Sequence, residues 1–177
     1  DFQNKRFVDI INNDLANTIG NLLNRTSSMS RKWFNNMVPN KDNSTNDDFL
    51  ESYSIKIVKN YIKHFDLYEI DLAANEILDL AIKTNLYLNE KQPWILIKEN
   101  NNFSLVKNII YNVLESTRVI GLLLLPLLPD LSTKIDYQLG SLYMQDKLWK
   151  EQLNWGLLKQ ESILPIPTPI ISKLEYD

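Results

Sequence analysis

No glycine occurs between Gly20 and Gly121, and only Pro39 and Pro93 fall in that interval. Glycine and proline are the residues that most readily break helices, so long helices are the natural consequence. A first helix is expected from about Asn4 through Trp33, with Ile11, Leu15, Ile19, Leu22 and Leu23 gathered on one side at 100° per residue. Residues 36–46, with Pro39 and a Lys-Asp-Asn-Ser-Thr-Asn string, read as an exposed loop. Asp47 or Asp48 is placed to cap a second helix through about His64, whose apolar stripe is Phe49, Tyr53, Ile57, Tyr61 and Ile62. A third helix, from about Asp66 to Asn89, stops before Gln92-Pro93, because the residue before a proline resists helical geometry. Trp94 then lies at or just beyond a helix end. The fourth helix starts near Asn102 and is apolar enough to be central, carrying Leu105, Val106, Ile109, Ile110, Val113, Leu114 and Ile120 until Pro126 and Pro129 end it. Asp130-Leu-Ser-Thr caps a fifth helix to Leu139, closed by Gly140, and a last short helix covers Asp146 to Leu153.

From Ser162 onward proline alternates with apolar residues through Pro165, Pro167 and Pro169, giving an extended strand that cannot join a sheet interior. Its isoleucines must lie on something. The expectation is an all-α fold, a bundle of about five helices over residues 1–160. The tail, 161–177, packs on that bundle or on a missing domain.

Composition narrows the function. A chain of 177 residues, 44% apolar and 23% charged, folds around one core. Without cysteine there is no disulfide framework, thiolate zinc site, iron–sulfur cluster or thiol nucleophile. The single histidine, His64, at a helix C-terminus where its charged form suits the dipole, reads as structural. No Asp/Glu cluster has metal-ligand spacing and no glycine-rich phosphate loop occurs, so neither a catalytic site nor a metal site is expected within the chain. The longest apolar run, Val119 to Leu125, is far short of the roughly 20 residues a membrane helix needs, so no membrane partner is expected. The opening at Asp1, without signal or transit composition, reads as a piece of a longer protein.

Net charge is −3, unevenly spread: residues 1–41 carry six Lys/Arg against three Asp/Glu, residues 42–90 four against ten, and residues 91–177 nine against nine. The basic N-terminal end is too weak to hold nucleic acid by counterion release alone, so a nucleic-acid role requires specific base contacts. Two places offer them. Asn17, Asn21, Asn24 and Arg25 fall within an arc of about 100° beside the apolar face of the first helix. Asn21 and Arg25, spaced i and i+4, set an amide next to a rigid fork of donors, a pairing suited to a base edge; a solvated helix face would look the same. Pro93 and Trp94 place an indole at a helix terminus, where a base can stack on it, although an isolated tryptophan also serves a core. Trp33, Trp149 and Trp155 read as core or helix-end packing.

Three strings occur in one order: Asp14-Leu-Ala-Asn-Thr-Ile-Gly-Asn-Leu-Leu-Asn-Arg25, Leu88-Asn-Glu-Lys-Gln-Pro-Trp94, and Leu123-Leu-Leu-Pro-Leu-Leu-Pro-Asp130 followed by Ile135 to Gly140. Together with the closing Trp155-Gly156 through Pro169, they resemble the C-terminal anticodon-binding domain of bacterial or organellar methionyl-tRNA synthetase. The resemblance implies an α-helix bundle that receives the CAU anticodon of methionine tRNA. Asn21 and Arg25 match the family's anticodon-reading pair, Pro93 and Trp94 its proline–tryptophan pair, and Asn17 and Asn24 would support that stripe. It also implies methionine–tRNA ligase activity in the cytoplasm or an organelle, with ATP and Mg used by an N-terminal catalytic domain that would be the chain's own partner. The His-Ile-Gly-His and Lys-Met-Ser-Lys-Ser signatures of that chemistry are absent here, so the piece itself is expected to need no cofactor. The family's Phe-Pro-Arg near the end is replaced by Ile170-Ile171-Ser172-Lys173. A helical protein-interaction domain using the apolar tail, or the anticodon domain of another class I synthetase, are the alternatives.

Overall fold

The computed structural model describes residues 18–42, 47–141, 143 and 147–168. Among these the fold is all-α. Five helices of ten residues or more are present: α1 (Asn21–Trp33), α2 (Phe49–Asp66), α3 (Ile70–Lys91), α5 (Phe103–Leu124) and α6 (Pro129–Gln138). Two single turns, α4 (Pro93–Leu96) and α7 (Trp149–Gln152), and a 3-10 turn at Asn100–Asn102 complete the set. Residues 18–20 form a π-helical lead into α1. The portion of the expected first helix before Thr18, with Asn17, lies outside the described residues, as does Asp146.

Helix α5 is the axis of the bundle. Every residue from 108 to 124 is buried, polar ones included, because α1, α2, α3 and α6 all pack against it. The helix buries Ile110, Leu114, Ile120 and Leu123 in one cluster with Ile19 and Leu23 of the first segment, Ile57 and Tyr61 of α2, and Ile77 and Leu80 of α3. A second cluster joins Leu22, Leu50, Tyr87, Leu88, Ile109 and Val113, and Trp94 packs against it.

Two helix starts differ from expectation. Asp48 is the N-cap of α2 but makes no side-chain capping bond. Asp47 is used elsewhere: it accepts from the Tyr87 hydroxyl (3.0 Å) and pairs with Lys91 (2.6 Å), tying the start of α2 to the end of α3. Pro129 opens α6 at its first turn, where a missing N–H costs nothing, so Leu128 rather than Asp130 is the N-cap. The acidic residues of the α2–α3 hairpin also do more than face water. Glu69 bonds His64 Nδ1 (2.6 Å), and Tyr53 donates to Asp79.

The C-terminal segment is held by a pair buried inside α5. Glu115 accepts from Arg118 Nε (2.8 Å) and Nη2 (2.7 Å), and from the backbone N–H groups of Gly156 (2.6 Å), Leu157 (3.1 Å) and Leu158 (3.0 Å). Arg118 also donates to the carbonyls of Gln152 (2.6 Å) and Asn154 (2.7 Å). A buried charge pair is tolerable only when its remaining donors and acceptors are satisfied, and this one is satisfied by backbone. Beyond it, residues 161–164 run antiparallel to residues 36–38: Val38 N donates to Ser162 O and Leu164 N to Asn36 O. Among the described residues of the tail Leu164 is buried, whereas Ile163 and Ile166 stay exposed.

Candidate nucleic-acid interface

The turn after α3 sets the indole. Gln92 adopts the left-handed conformation (φ 46°) and is both the C-cap of α3 and the N-cap of α4. Pro93 follows at the first helical position, with its ring buried. The chain therefore reverses within two residues and delivers Trp94 to the top of the second cluster. The ring is half-buried there: Leu22 and Leu50 belong to the cluster on which it packs, and the rest of it is accessible.

Arg25 comes to the same place from α1. Its guanidinium carbon lies 5.5 Å from the Trp94 ring centroid, a cation–π geometry. Arg25 Nη2 donates to Asn89 Oδ1 at 3.1 Å, a bond between α1 and the last turn of α3. Asn89 is neutral, so this bond orients the fork without cancelling its charge. Asn21 is exposed one turn before Arg25 on the same helix, and Asn24 is exposed beside it. A second tie, from Asn85 Nδ2 to Thr18 O (3.1 Å), fixes α1 along α3.

The structure thus brings Arg25, Pro93 and Trp94 together with Asn21 on the adjoining helical surface. The resulting surface combines a flat ring, a cation and amides, a set that suits an unpaired base better than a duplex. Trp33 and Trp149 are half-buried against the main cluster, and Trp155 is half-buried against both clusters. Asn89 is the residue that sequence reasoning missed. It lies inside the Leu88–Trp94 string, and its helical register, one turn before the left-handed cap, was the available signal.

Next to this site the Tyr87 phenol is pushed upward, first by burial and then by the Asp47 carboxylate. Asp47 also occupies Lys91, so that lysine is not free to meet a phosphate. Among the described residues Arg25 has no ion-pair partner. No group of three or more His, Asp or Glu side chains among them could hold a metal ion.

Residues 38–176 match the family model described as the anticodon binding domain of methionyl tRNA ligase. Methionine–tRNA ligase of Thermotoga maritima is 33% identical over 177 residues, covering 99% of this chain and 28% of that protein. The Synechocystis enzyme of the same name is 34% identical, covering 99% and 35%. Among solved structures, the apo methionyl-tRNA synthetase of Mycobacterium tuberculosis superposes with a TM-score of 0.87 at 27% identity, covering 99% of this chain and 36% of that chain. The chain thus spans about a third of the length of the proteins it matches.

Proposed function

The chain belongs to the family of anticodon-binding domains of methionyl-tRNA ligase, and from that premise we propose that the Arg25–Trp94 surface reads the CAU anticodon loop of methionine tRNA. Trp94 stacks on one unpaired base. Asn21 and Arg25 bond its edge, Asn24 borders the site, and Pro93 holds the indole in place. Cytosine displays an amino donor beside ring acceptors, which an amide and a guanidinium complement. The observation that carries this reading is the convergence, from segments distant in sequence, of a half-exposed indole and a guanidinium that has no ion-pair partner among the described residues.

The small positive excess of residues 1–41, in a chain whose net charge is −3, supports recognition through base contacts rather than through many phosphates. The domain serves an ATP- and Mg-dependent aminoacylation carried out by an N-terminal catalytic domain of the same polypeptide. In that enzyme, Trp94→Ala is expected to lower charging of methionine tRNA by an amount matching the loss of about 1 to 3 kcal/mol of stacking. The substitution should also shrink the preference over a transcript with an altered anticodon. Unchanged charging and preference in a folded variant would refute the assignment.

A further inference from the structure

Along the exposed face of α1, beyond the base site, we propose a contact for the RNA backbone: Arg31 and Lys32 hold phosphates of the same tRNA loop. The observation behind it is a charge imbalance. Residues 15–41 hold four Lys/Arg and no Asp or Glu, in a chain whose net charge is −3. Of the five helices of ten residues or more among the described residues, α1 is the one without an acid. The helix dipole favours cations in a last turn, which accounts for the place of Arg31 and Lys32 but not for the missing acids. A helix face that merely meets water ordinarily mixes signs, with acids and bases paired at i, i+4.

The register joins these cations to the base site. At 100° per residue Asn21, Arg25, Ser28 and Lys32 lie within an arc of about 60°, and Arg31 borders it. Asn21, Ser28, Arg31 and Lys32 are all exposed. Arg31 and Lys32 have no ion-pair partner among the described residues, whereas Lys41, the fourth cation of the stretch, pairs with Glu51 at 3.5 Å. From Arg25 to Lys32 the helix rises seven residues, about 10 Å. A nucleic-acid strand covers that distance in about three nucleotides, at roughly 3.4 Å each.

A strand that leaves the base on Trp94 and follows α1 therefore brings its neighbouring phosphates to Arg31 and Lys32. Arginine offers a planar fork to two phosphate oxygens, and lysine a mobile point charge. Contacts of this kind fix position and add affinity, while the sequence is read at the bases. The proposal rests on the assignment of the Arg25–Trp94 surface to RNA, and it adds two phosphates to it.

The test uses the full-length enzyme and measures its affinity for methionine tRNA and for an anticodon-altered transcript over a range of KCl concentrations. Arg31→Gln/Lys32→Gln is expected to weaken both RNAs by the same factor. It should also flatten the plot of log affinity against log salt by about 1.4, two contacts at about 0.7 each for a single strand. Lys134→Gln, which removes an exposed charge on α6, serves as the control and should leave that slope unchanged. An unchanged slope in the double variant would overturn the proposal, as would an equal effect per charge from Lys134→Gln, or a loss confined to one of the two RNAs. Failure of the base-site reading shows differently, as a Trp94→Ala enzyme whose preference between the two RNAs is unaltered.

Discussion

The Arg25 guanidinium lies over the Trp94 ring at 5.5 Å and is steered there by a hydrogen bond to Asn89. Two helices far apart in sequence are joined by these contacts at the edge of a hydrophobic cluster, which preorganises the ring and the cation before any ligand arrives. Preorganisation matters because side chains ordered only on binding subtract their lost freedom from affinity.

Lysine at position 25 keeps the charge but loses the planar fork that bonds Asn89 while covering the indole. Arg25→Lys in the full-length enzyme is expected to cost about 1 to 2 kcal/mol, or roughly 5- to 30-fold, in charging of methionine tRNA. Asn89→Ala should cost less, and the double variant less than the sum, because both changes remove the same bond. Steady-state charging of all four proteins gives the coupling directly; strict additivity would show that Asn89 does not act through Arg25.

Glu115 gathers five N–H donors inside the bundle, three of them from the backbone of residues 156–158. Replacing it with the isosteric Gln removes the charge that balances Arg118. Breaking a buried pair from one side costs about 3 to 5 kcal/mol, because the remaining charge is left uncompensated. Glu115→Gln should therefore be among the most destabilising single changes in the chain. The double variant Glu115→Gln/Arg118→Met should recover part of the loss. Chemical denaturation of the wild type, Glu115→Gln, Arg118→Met and the double variant decides it: a double variant as unstable as the sum of both single changes would mean that the two side chains do not act as a pair.

Much of this architecture was legible in the sequence, for reasons that differ from element to element. The apolar periodicity around Ile109, Val113 and Ile120 is a local property, so it marked α5 as central without knowledge of its neighbours. The Gln92-Pro93 step fixed the end of α3 through sterics that act within two residues. Arg25 and Trp94 were marked by residue type and family resemblance. Their meeting depends on how α1 lies along α3, and no local rule supplies that. Asn89 was missed for the same reason, since an exposed asparagine on a helix is ordinary until its partner is known. Glu115 and Arg118 look in sequence like an i, i+3 surface pair. Only the return of residues 152–158 over α5 turns them into a buried staple.

Tyr61 is fully buried, and its hydroxyl has no hydrogen-bond partner among the described residues. Burial pushes its pKa up to about 12 from 10.0. The folded state therefore keeps this proton at pH values where the unfolded chain has released it. By linkage, the contribution is fully present below about pH 10 and is lost as pH rises toward 12. Two pKa units of separation correspond to about 1 to 1.5 kcal/mol already lost at pH 11. Tyr61→Phe removes the ionisable group and should flatten this part of the stability profile. Urea denaturation at pH 8 and pH 11 provides the comparison: an equal loss in both proteins would exclude Tyr61 as a contributor.

Gly121 sits inside α5, where alanine would ordinarily be favoured by roughly 1 kcal/mol. Here a Cβ would meet Tyr143 Oη at 2.6 Å and Ile135 Cγ2 at 2.9 Å. Ile135 is a fully buried β-branched residue of α6 with little room to turn, and the Tyr143 hydroxyl is engaged with Ser132 Oγ (3.0 Å). Overpacking of this kind costs about 1 to 3 kcal/mol, which outweighs the propensity gain. Gly121→Ala is expected to lower the melting temperature by about 2 to 8 °C, given roughly 2 to 4 °C per kcal/mol for a chain of this size. Removing the nearest obstructing atom with Tyr143→Phe should make the second substitution cheaper in the presence of the first. Calorimetry of the single and double variants measures that coupling, and a melting temperature raised by Gly121→Ala alone would show that α6 can move away from α5 at no cost.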